Sequence, residues 1–248
     1  MKRFSRPTFF KVCSTDKIVI CDVLSRVNKQ CQVEFSNDSV SLQSKTLRLG
    51  VFTTLRLSNL FHSSKLDSVL NIEVNLKEMS NALKVVGNIA IENGEVSLYS
   101  SQMQLMQRLV YKSLSERIKE PQIKEPTCHV IIPLHKFRMV LEKIKSAKAR
   151  ICIEKNQLTV ESESEYSSVL CTFLELEHPN QFETAGSVTV YTKDLMKVAQ
   201  CYACNPIQIV CSIVDREAIL FYVYLLSEDD PEVISYFLPA TSSMQATP

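Results

Sequence analysis

Four times along the chain, apolar residues recur at positions 0, +3, +4 and +7, the spacing that places side chains on one face of an α-helix. The quartets are Ile20, Val23, Leu24, Val27; Met79, Ala82, Leu83, Val86; Phe137, Val140, Leu141, Ile144; and Leu195, Val198, Ala199, Tyr202. Their first members stand 59, 58 and 58 residues apart. A short strand-like run leads into the last three helices in the same register: NIEV, HVII and the pair ending at Val190; the apolar FFKVC leads into the first. Three alternating or β-branched runs follow each helix, for example RICIEK, QLTVES and SSVLCTFLE after the third. Turn residues such as Ser36-Asn37-Asp38 and Asn93-Gly94 separate them, as hairpins require.

The chain therefore reads as four strand–helix–three-strand units of about 60 residues each. Between the second and third lies RIKEPQIKEP (117–126), whose prolines exclude both helix and central strand. The fold class that follows is α+β: two similar domains of two units each, with antiparallel sheets carrying helices on one face. The expected boundaries are 1–116, a connector at 117–126, and 127–248. A parallel sheet of βαβ crossovers fails on count, because three strands follow each helix.

Charge is divided by element. The net charge is only +1. Predicted helices over 17–29, 77–88, 134–148 and 193–204 hold twelve bases against four acids, a net +8 that leaves −7 elsewhere. The bases are Lys17, Arg26, Lys29, Lys77, Lys84, Lys136, Arg138, Lys143, Lys145, Lys148, Lys193 and Lys197. A repeated basic face suits a polyanion, met through salt-sensitive phosphate contacts rather than sequence readout. Few aromatics stand among these bases, so base stacking is not expected.

Other chemistry finds little support. Four Gly build no phosphate loop, and the four His show no metal-ligand spacing. Nine Cys lie mostly inside apolar runs and read as reduced core residues. Cys201-Tyr-Ala-Cys204 could form a redox pair or half a zinc site, which leaves a small redox or metal enzyme as a remote alternative. It falls at the end of the fourth helix, where the dipole opposes a thiolate. No cofactor, metal or catalytic residue is expected. No apolar run approaches the ~20 residues needed to span a bilayer, and no membrane partner is expected; MKRFSRPTFF has charges and a Pro where a signal peptide needs its apolar stretch, so export is not expected.

Four such units in two halves resemble the DNA sliding clamps of the proliferating cell nuclear antigen type. VIIPLHKFRMVLEKIK, TKDLMKVAQ and AILFYVYLLSEDDPEVISYFLPA are similar to the Hus-one branch, a subunit of the heterotrimeric DNA-damage checkpoint clamp. The resemblance implies a non-catalytic nuclear protein that joins two other clamp-fold subunits in a ring around duplex DNA. It also implies a clamp-loader ATPase, and checkpoint and repair proteins on the outer face. A replicative homotrimeric clamp is the alternative within the same fold. By position, the twelve bases above become DNA-facing candidates. The ring contacts fall to edge strands at Leu105–Tyr111 and Ser167–Glu175, with Leu105, Gln107, Leu109, Tyr111, Ser167, Val169, Cys171 and Phe173 as the interface residues.

Overall fold

A computed structural model describes residues 8–11, 15–36, 39–46, 48–56, 69–86, 88–92, 95–100, 105–116, 118–177, 185–225 and 232–241. The expected turns at Asn37-Asp38 and Asn93-Gly94 lie outside these residues. The chain divides into two compact units, Met1–Lys45 with Phe52–Lys119, and Thr46–Val51 with Glu120–Pro248.

In chain order the first elements are β1 (Thr8–Lys11), α1 (Thr15–Val27), β2 (Gln30–Phe35), β3 (Ser39–Lys45), β4 (Gly50–Arg56), β5 (Leu70–Asn75) and α2 (Leu76–Val86). Then come β6 (Asn88–Glu92), β7 (Glu95–Ser100), β8 (Leu105–Arg108) and β9 (Tyr111–Ser113). They form two sheets, β1-β6-β7-β8 and β4-β3-β2-β5-β9. The second unit runs β10 (Cys128–Ile131), α3 (Leu134–Leu141), β11 (Lys148–Glu154), β12 (Gln157–Glu163), β13 (Ser168–Phe173), β14 (Gly186–Tyr191) and α4 (Thr192–Ala199). A 3-10 turn over Gln200–Cys204 extends α4, and β15 (Gln208–Val214), β16 (Ala218–Leu225) and β17 (Glu232–Pro239) complete it. Its sheets are β13-β12-β11-β14 and β10-β15-β16-β17.

The strand leading into each helix does not join the three strands that follow that helix. It crosses to the other sheet of its unit. β5, which precedes α2, pairs with β2 from Gln30↔Asn75 to Phe35↔Leu70, while β1 pairs with β6. In the second unit β14 pairs with β11 and β10 with β15. Each 60-residue repeat is therefore interlocked with its neighbour, and the smallest body with complete sheets is a pair of repeats.

Burial follows the helical and alternating periods. Ile20, Val23, Leu24 and Val27 of α1 are buried, as are Met79, Ala82 and Leu83 of α2, and Leu195, Val198 and Ala199 of α4. On β17, Ile234, Tyr236 and Leu238 point inward at every second position.

Two helix ends differ from expectation. The helix predicted over 134–148 stops at Leu141, where Lys143 and Ile144 donate their N–H groups three residues back, to Val140 and Leu141, at 3.0 and 3.1 Å. Ile144 is still buried from that tight turn, so the apolar period outlasts the helix. The chain must straighten there because Lys148 begins β11 opposite Tyr191. The fourth quartet breaks at Tyr202. After Ala199 the backbone tightens to 3-10 geometry, about 120° per residue instead of 100°. The tighter winding brings Cys201 into the core and turns Tyr202 outward, 46% exposed.

Gly186 opens β14 in a space with no room for a side chain. A Cβ there would lie 2.9 Å from Cys128 Sγ, 2.9 Å from Thr127 Oγ1 and 3.2 Å from Ile213 Cγ2. Gly186→Ala is expected to destabilise the protein by about 1–3 kcal/mol through overpacking, despite the entropy gained in the unfolded chain. A fall in the urea midpoint at constant slope checks this.

Candidate nucleic-acid interface

In each unit two helices pack as a pair, α1 with α2 and α3 with α4. Their apolar stripes are buried, which leaves the bases on the faces turned from the core. Arg26, Lys77, Lys84, Lys136, Arg138 and Lys193 are exposed and Lys197 is half-buried. Lys17 lies in α1, but its side chain is outside the described set. The remaining four bases are not helical. Lys29 follows α1, Lys143 and Lys145 lie in the turn after α3, and Lys148 starts β11; all four are exposed. The helices proper hold eight bases against Asp16, Asp22, Glu78 and Asp194, a net +4 rather than the expected +8. Three of the four displaced bases sit just past a helix C-terminus, where cations complement the dipole.

Asp22 organises the first pair of helices. Its carboxylate accepts from Lys77 Nζ at 2.6 Å and from Arg26 Nη2 at 3.0 Å, with Lys84 Nζ at 3.8 Å. Three bases on two helices thus share one acid whose side chain is only 16% exposed. The Lys77 hydrogen bond holds the Asp22 carboxyl below its ordinary pKa, against the opposing effect of partial burial. A carboxylate with a lowered folded-state pKa stabilises the fold above the unfolded value near 3.9, and that contribution is lost as pH falls through the folded value. Asp22→Asn should therefore cost about 1 kcal/mol at pH 7, a figure kept small by the solvent around the lysines. The two proteins should converge in denaturation midpoint as pH falls through the lowered folded-state value of Asp22.

In the second pair Arg138 Nε donates to Glu142 Oε1 at 2.9 Å, and Lys197 Nζ lies 3.4 Å from Asp194 Oδ1. Lys29, Lys136, Lys143, Lys145 and Lys193 form no ion pair among the described residues. Sequence reasoning missed Arg48. Its guanidinium lies 4.1 Å over the Tyr191 ring, and Lys148 Nζ lies 5.8 Å from that same ring. Only the folded chain brings these cations together.

A family model described as Hus1-like protein matches residues 95–242, more than half of the chain. The chain belongs to the Hus1-like protein family. The checkpoint protein hus1 of Schizosaccharomyces pombe is 25% identical to it over 235 residues, spanning 76% of this chain and 82% of that protein. The solved proliferating cell nuclear antigens of Thermococcus kodakaraensis and Entamoeba histolytica superpose with TM-scores of 0.73 and 0.75. Their identities are 14% and 13%, they cover 94% and 96% of this chain, and 99% of each of those chains is covered. The fold is that of a sliding clamp.

In this Hus1-like chain β8 and β13 each end a four-stranded sheet. The strand expected over Leu105–Tyr111 is split. Leu109 turns into the core while its N–H donates to Val96 O at 2.9 Å, and Tyr111 then opens β9, paired with β5 in the other sheet. Gln107 is exposed on β8; the Leu105 side chain is outside the described set. The strand expected over Ser167–Glu175 is Ser168–Phe173, with Ser167 in the preceding turn. Val169, Cys171 and Phe173 form its half-buried row, and the Phe173 ring lies 6.4 Å from that of Phe137. The outward row is the alternate one, with Leu170 72% exposed on β13 and Leu174 62% exposed just beyond it.

The Cys201–Cys204 pair sits on the 3-10 turn. Burial pushes the Cys201 thiol well above its ordinary pKa, the opposite of what a thiolate nucleophile or ligand requires. Among the described residues no group of three His, Cys, Asp or Glu is placed to hold a metal, and no helix is long and apolar enough to cross a membrane.

Proposed function

We propose that the chain is a non-catalytic subunit of a heterotrimeric checkpoint clamp. It joins two other clamp-fold subunits in a ring that encircles duplex DNA in the nucleus. A loader ATPase opens the ring, and DNA-damage signalling and repair proteins dock on its outer face. The observation that carries this reading is the basic helix pair on each unit of a Hus1-like clamp fold. Encirclement retains the ring topologically, so weak, mobile phosphate contacts are enough, and exposed lysines of this kind provide them.

The edges β8 and β13, each paired on one side only among the described residues, supply the ring contacts, since an unpaired strand edge is a template for a partner strand. Two different edges on one subunit join head to tail, the arrangement that closes a ring. Light scattering of the isolated protein tests the heterotrimeric reading. A mass near 28.2 kDa is expected for the chain alone. A particle of three times that mass would mean a homotrimeric clamp instead.

A further inference from the structure

The helical spacing places Tyr202 in the core; the structure places it on the surface, beside His135 and Arg138 of α3. Its ring centroid lies 5.9 Å from that of His135 at 58°, and the Arg138 guanidinium lies 5.8 Å from it. Met139, on the same helix as both, is 52% exposed. Lys136 and Lys143, on α3 and the turn after it, are exposed and form no ion pair among the described residues. Glu142 is the one acid in this stretch; it holds Arg138, and Lys136, Arg138 and Lys143 still leave a net charge of +2.

A duplex offers such a surface phosphates, sugars and groove edges but no base faces, because its bases are stacked on one another. An unstacked strand offers phosphates together with base faces. The combination of a half-exposed aromatic ring, a guanidinium over it that is held by Glu142, and lysines without an ion pair among the described residues matches the second ligand. We infer that Tyr202, with His135 and Arg138, forms a stacking site for a base of single-stranded nucleic acid, with Lys136, Arg138 and Lys143 taking adjacent phosphates. This rests on the reading that the helix faces meet nucleic acid, and it adds a ligand that the duplex-tracking role does not require.

The chain has no tryptophan, so Tyr202→Trp makes a single-tryptophan protein. Titrating it with an oligothymidylate at low salt should quench its emission saturably, as indole stacks on a base. A duplex of equal phosphate number should leave the emission nearly unchanged. In the otherwise native chain, Tyr202→Ala should weaken oligothymidylate binding about tenfold or more while duplex affinity holds, and Tyr202→Phe should bind like the parent. Circular dichroism melting confirms that each variant folds. Unquenched emission at saturating oligothymidylate would overturn the site, as would Tyr202→Ala binding that oligonucleotide like the parent. Loss of duplex affinity on lysine reversal, with stacking at Tyr202 absent, would leave the clamp reading standing alone.

Discussion

Replacing Lys136, Lys143, Lys145 and Lys193 together with Glu should lower duplex affinity by about a thousandfold or more at 0.1 M salt, with thermal stability little changed. Each phosphate contact contributes a slope of about −0.9 in log affinity against log salt, close to one decade at that concentration. Losing four contacts should therefore also flatten the salt dependence by three to four units. These four are the informative choice because none forms an ion pair among the described residues. Reversing Lys77 and Lys84 would mix two effects, since both stand at the Asp22 carboxylate and a new acid there would repel it. Electrophoretic or anisotropy titrations across a salt series read affinity and slope together. An unchanged salt slope in the quadruple variant would remove these lysines from the interface.

Phe137→Ala should destabilise the protein by about 3–5 kcal/mol, a large share of the 5–15 kcal/mol that a domain usually holds. Phe137 is fully buried on α3, its ring 6.0 Å from Phe221 on β16 and 6.4 Å from Phe173 on β13. Through this side chain, beside the buried Leu134 and Leu141, α3 touches strands of two sheets. Truncation leaves a cavity lined by two rigid rings that cannot collapse to fill it. Guanidinium denaturation should show a large fall in midpoint. A loss below 1 kcal/mol would mean that α3 is held by its neighbours and not by this contact.

Much of this architecture is legible in the residues, because a 58-residue spacing of helical stripes constrains both the number and the order of elements. The interlocking of the sheets is not legible. Alternation says which face of β5 is buried, but nothing local says that β5 pairs with β2 instead of joining the strands after α2. The helix ends are not legible for a related reason. Apolar spacing records which side chains are buried, and Ile144 is buried from a turn that has already left helical geometry. At Tyr202 the same spacing pointed inward, and the change to a 3-10 turn reversed it. The lysines could be named from sequence, yet their pairing could not. Asp22 collects bases from positions 26, 77 and 84, a relation that exists only once α1 and α2 lie side by side.

Co-expression of this chain with two other clamp-fold subunits, followed by size exclusion with light scattering, tests the central claim most directly. The account predicts one species holding the three chains in equal amounts, with this chain monomeric when expressed alone. Elution of this chain apart from the other two, or its assembly with itself into a ring, would contradict the account.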